Sequence, residues 1–130
     1  MKKLFLIAIV ALLTSSCNSL SKEAKQIVGN YYNTEISQSE PVMELNKDAT
    51  CLIRAIKPGV LTYSVEGEWN VERDSLVIEL DPSTVKFEGD GSLIGEIPTR
   101  SARKIVDHSD FNLQLEQDGI SYLFQRRTQN

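Results

Sequence analysis

Leu61-Thr62-Tyr63-Ser64-Val65-Glu66-Gly67-Glu68-Trp69-Asn70-Val71-Glu72-Arg73-Asp74-Ser75-Leu76-Val77-Ile78-Glu79-Leu80 is the stretch whose pattern decides the fold. Leu61, Tyr63, Val65, Trp69 and Val71 occupy alternate positions, and the residues between them are polar or small. Successive strand residues point to opposite faces, so a period of two describes a strand with one buried face. Arg73-Asp74 turns the chain, and Leu76, Ile78 and Leu80 then share the face of a second strand. Two half-buried strands joined by two residues make an antiparallel hairpin.

The same period continues in both directions. Upstream, Tyr32, Thr34 and Ile36 alternate with polar residues, as do Met43 and Leu45. Asn46-Lys47-Asp48-Ala49 predicts a turn, Thr50 to Ile56 a strand, and Lys57-Pro58-Gly59 another turn. Downstream, Asp81-Pro82-Ser83 predicts a turn before a strand at Val85 and Phe87. Leu93 to Ile97 and Ser101 to Val106 are two further short strands. Phe111, Leu113 and Leu115 alternate before Asp118-Gly119, a strong hairpin signal, and Ile120, Tyr122 and Phe124 follow. The sum is about eight to ten short antiparallel strands in an all-β domain. An up-and-down β-barrel removes the exposed edges of such a meander; a β-sandwich is the alternative.

The amino terminus is different material. Lys2 and Lys3 precede an apolar run from Leu4 to Leu13, and Thr14-Ser15-Ser16 leads to Cys17. Ten apolar residues are too few for a helix that needs about 20 to cross a bilayer, whereas they suit a secretory signal. Leu13-Thr14-Ser15-Ser16-Cys17 resembles the lipobox of bacterial lipoproteins. That resemblance implies residues 1–16 as a lipoprotein signal peptide and Cys17 as the lipidated first residue of the mature chain. Ordinary signal-peptidase cleavage with a soluble product is the other option. Residues 17–26 then read as the lipidated Cys and a tether, with Ser21 able to cap a short helix over Lys22 to Gln26. The expected location is the Gram-negative cell envelope, on the periplasmic side of the outer membrane, with surface exposure the other option.

The chain has 14 Lys and Arg against 18 Asp and Glu, a net charge of −4. Losing Lys2 and Lys3 leaves 12 basic side chains against 18 acidic and a net charge of −6. An acidic exported chain of this length is neither a nucleic-acid binder nor a polytopic membrane protein.

Three stretches are similar to the small lipocalin-like β-barrel domains of bacterial envelope lipoproteins. They are Ile27-Val28-Gly29-Asn30-Tyr31-Tyr32, Leu45-Asn46-Lys47-Asp48-Ala49-Thr50, and Val65-Glu66-Gly67-Glu68-Trp69-Asn70-Val71 with the following Asp74 to Ile78. Ala49 stands where such hairpins usually carry Gly. Asp118-Gly119 to Arg126 suits their final strand. The resemblance implies a single barrel over residues 27–127, followed by a tail at 128–130.

Candidate sites are few. Cys51, beside Leu52 and Ile53, reads as a core residue. His108 is the single histidine, and Asp107-His108-Ser109-Asp110 reads as a polar turn, because a zinc site needs three or four nitrogen or sulfur donors. Glu88-Gly89-Asp90-Gly91-Ser92 lacks the spacing of a calcium loop. Arg100, Arg103, Lys104, Arg126 and Arg127 read as a solvated edge, with an anion site or a face for acidic lipid as the alternative. No catalytic motif, metal set or cofactor signature is present, so the expectation is a noncatalytic binding or interaction module. A carrier of a small hydrophobic ligand is the alternative, and an envelope enzyme the third. If a cavity exists, its aromatic candidates are Tyr31, Tyr32, Tyr63, Trp69, Phe87 and Tyr122. Expected partners are membrane lipid through acylated Cys17 and a small apolar ligand or envelope protein.

Overall fold

The computed structural model describes residues 19–129. The expected signal peptide at 1–16, the expected lipidation site Cys17 and the last residue of the tail lie outside them. The elements are helix α1 (Lys22–Lys25) and strands β1 (Gly29–Tyr32), β2 (Met43–Leu45), β3 (Thr50–Lys57), β4 (Leu61–Glu72), β5 (Ser75–Gly89), β6 (Arg100–His108), β7 (Asn112–Gln117) and β8 (Ile120–Arg127). Each strand pairs antiparallel with the next, and β1 pairs with β8 to close the barrel. Closure excludes the β-sandwich.

Cross-strand partners share a face, so the register identifies the interior. Tyr31, Met43, Ile53 and Val65 follow one another across β1 to β4. Trp69 faces Ile78, which faces Ser101. Ile105 faces Leu115, which faces Tyr122. In the lower half this face is packed solid by Tyr31, Leu45, Trp69, Leu76, Leu113 and Leu115, all buried. Its lower end is plugged by Leu20, Ala24 and Ile27 from α1 and its flanks. Ser21 caps α1 by accepting from Ala24 N–H, and its hydroxyl donates to the Val71 carbonyl at 2.9 Å. The Asn70 side chain accepts from Ser21 N–H and donates to the Ser19 carbonyl. Residues 19–26 are therefore docked on the barrel end.

Turn chemistry follows the sequence at most joints. Asp118 and Gly119 both have positive φ, 53° and 79°, in the two-residue loop between β7 and β8. Arg73 carries φ 60° between β4 and β5, and Ala49 takes φ 72° where a glycine would sit without strain. Gly67 stays within the ladder because a Cβ there would meet the Glu79 carbonyl oxygen at 2.1 Å.

Three segments differ from the sequence expectation. The strand through Thr34 and Ile36 ends at Tyr32, because Asn33 accepts from Glu35 N–H through its side chain and from Ile36 and Ser37 N–H through its carbonyl, which closes a turn. Asp81-Pro82-Ser83 does not reverse the chain. β5 runs through it as a bulge, the register slipping between Ser64 and Glu66 of β4. Thr84 holds the bulge, its hydroxyl accepting from Glu66 N–H at 2.8 Å and donating to the Asp81 carbonyl at 2.7 Å. Leu93 to Ile97 forms no strand. A 3₁₀ turn, Gly91–Leu93, capped by Asp90, leads into an irregular segment.

Candidate functional site

The interior is not filled to its upper end. Above the packed layer lies a cavity of about 230 Å³, lined by Met43, Ile53, Ile78, Leu80, Ser101, Arg103 and Phe124 together with Val42, Arg54 and Pro98. β2, β3 and β5 supply the aliphatic wall. β6 supplies Ser101 and Arg103, and β8 supplies Phe124. The wall is apolar because these positions continue the inward alternation of each strand. Ser101, a small residue at an inward position of β6 opposite Ile78, leaves room there.

Two arginines reach this cavity and differ in their partners. Arg54 is held by an ion pair to Glu44, and the same amino group donates to the Pro41 carbonyl. Arg103 lies opposite Leu76 in the ladder and therefore points inward. Its Nε donates to Gln117 Oε1 at 3.1 Å, and its guanidinium carbon sits 4.4 Å from the centroid of the Tyr122 ring. Stacking on an aromatic face suits a planar cation. Among the described residues no carboxylate pairs with Arg103, and no Asp or Glu lines the cavity.

The six aromatic candidates fall in three places. Tyr31 and Trp69 belong to the packed layer: the Tyr31 hydroxyl donates to the Ile27 carbonyl at 2.6 Å, and Trp69 Nε1 donates to the Asn46 carbonyl at 2.9 Å. Burial pushes the Tyr31 phenol up to about 12, with the Arg126 charge opposing the shift. Tyr63 and Phe87, cross-strand partners, line a shallow hollow of about 260 Å³ at the open end. Tyr32, under the Arg127 guanidinium at 4.0 Å, borders a groove of about 500 Å³ along the β1–β8 seam, as does Tyr122. Only Tyr122 touches the interior cavity's chemistry, through Arg103. The aromatic count did not locate the cavity. An arginine at an inward position of the alternation Ser101, Arg103, Ile105 was the available signal.

The remaining candidates resolve simply. Cys51 is a buried free thiol, pushed up to about 12 by burial and by the Glu68 charge. His108 ends β6, and the polar turn after it is closed by Ser109 Oγ accepting from Phe111 and Asn112 N–H. Asp90 spends its carboxylate on Ser92. The basic cluster is dispersed: Arg100 meets Glu72 and Glu79, while Arg126 donates to the Val28 and Ser109 carbonyls. Among the described residues no group of three or more His, Cys, Asp or Glu is placed to hold a metal.

Eight strands paired in chain order, one end plugged and the other opening on a cavity, make the architecture plain. The barrel is lipocalin-like. No family model matches the chain, and no curated protein matches it in sequence. A solved structure of an uncharacterised protein from Bacteroides eggerthii DSM 20697 is similar with a TM-score of 0.47 and 12% identity, covering 78% of this chain and 95% of that one. A lipocalin-like protein from Bacteroides uniformis ATCC 8492 gives a TM-score of 0.38 and 16% identity, covering 78% and 94%.

Proposed function

We propose that this chain is a membrane-anchored lipoprotein of the cell envelope whose lipocalin-like barrel is a noncatalytic binding module for a small, largely apolar ligand. The observation that carries the binding half is the cavity of about 230 Å³ with aliphatic walls above a solid core. Its size, below the roughly 300–1,000 Å³ of drug-sized sites, favours a ligand of about ten non-hydrogen atoms. The anchor half is supported by the basic, apolar and small-residue order of residues 2–17.

Titration of the protein with 1-octanol, followed by amide chemical shifts, tests the binding half. Shifts should map to Ile53, Ile78, Leu80 and Ser101 and vanish in Ile78→Trp, which fills the space. No shifts, or shifts scattered over the outer face, would overturn it.

A further inference from the structure

We infer that the barrel cavity selects a small amphipathic anion, a carboxylate on a short apolar body, with Arg103 holding its oxygen atoms. This rests on the binding reading above and deepens it. In a chain of net charge −4, the cavity lining holds two arginines and no carboxylate. Glu44 neutralises Arg54, but Arg103 has no acidic partner among the described residues.

The geometry then fixes which part of Arg103 is available. Gln117 takes Nε, and Tyr122 takes one face of the guanidinium. The two terminal amino groups make no hydrogen bond to a described residue, and they are the pair that grips a carboxylate side by side. Gln117 and Tyr122 hold the fork in place, so little side-chain freedom is lost when a ligand arrives. Ser101, one inward position away on β6, offers a further hydroxyl. Ile78 and Leu80 provide the surface for the apolar body. A neutral ligand would leave the guanidinium half-buried and unpaired, which is costly in an apolar site.

The test is calorimetric titration of the full protein with octanoate and with 1-octanol, which share a chain length and differ in charge. Octanoate should bind about ten- to a hundredfold more tightly, the worth of a hydrogen-bonded charge pair. Arg103→Gln should abolish that preference by bringing octanoate affinity down to that of octanol, and Arg103→Lys should restore part of it. Equal binding of the two by the unaltered protein, with both lost in Ile78→Trp, would overturn the anion assignment and keep the cavity. Binding of neither would overturn both.

Discussion

Tyr31 and Cys51 are both neutral in the folded barrel, and that ties stability to alkaline pH. Burial raises the thiol from 9.0 and the phenol from 10.0, each to about 12. In the unfolded chain they release their protons near the ordinary values, so the folded state binds more protons between pH 9 and 12. Stability is then full below pH 9 and falls as pH rises through that window. Urea unfolding should show a midpoint that begins to drop near pH 9. Cys51→Ala should move the onset towards pH 10, where the Tyr31 phenol takes over. An onset that stays at pH 9 in Cys51→Ala would show that the buried thiol is not responsible. The same burial predicts that Cys51 reacts with a thiol reagent only after unfolding, because the thiolate is the nucleophile.

Strands and their joints show what the sequence made legible. Period-two alternation placed β4, β7 and β8 because one face of each turns inward and is at least half-buried while the other is wetter, so the pattern is written directly into residue type. The Asp118-Gly119 hairpin was legible because positive φ at both residues restricts the choice of side chains. Asp81-Pro82-Ser83 misled because a bulge and a turn use the same residues: Asp81 accepts from Ser83, and Pro82 has no N–H to give the ladder. What separates the two is Thr84 bonding to β4, a long-range contact that no local pattern carries. The cavity was illegible for a related reason. Emptiness depends on which small residues meet across the barrel, and only Arg103 at an inward position hinted at it. Two substitutions measure these joints. Thr84→Val removes both bonds of the bulge and should cost about 1 kcal/mol. Gly67→Ala drives a methyl into the Glu79 carbonyl and should cost about 3 kcal/mol, since a backbone clash relaxes only by parting β4 from β5. Urea unfolding orders them; a smaller cost for Gly67→Ala would mean that the approach of β4 to β5 is not tight.

At the scale of the molecule, the docking of Ser19 and Ser21 decides how the proposed anchor would orient the barrel. Ser19 and Ser21 are bound to Asn70 and Val71, at the closed end of β4. Cys17 is two peptide units from Ser19, a reach of at most about 7 Å. An acyl group on Cys17 would therefore hold the plugged end against the bilayer and turn the open end away from it. β4 spans both ends in 12 residues, roughly 40 Å along a tilted strand, so the mouth stands on the order of 30 Å from the surface. That exceeds the Debye length of about 8 Å, so on the proposed anchor a ligand would enter from the aqueous side, unaffected by lipid charge. Mass spectrometry of the mature amino terminus should find a diacylglyceryl group on Cys17; an unmodified residue there would end the anchor proposal. With the anchor in place, a bulky maleimide should label Val60→Cys at the mouth equally fast in membranes and in detergent. Arg73→Cys, at the closed end, should be protected in membranes alone. A Gly/Ser insertion of about ten residues between Cys17 and Ser19, reaching roughly 15–20 Å as a flexible coil, should relieve that protection. Protection of Val60→Cys in its place would reverse the orientation.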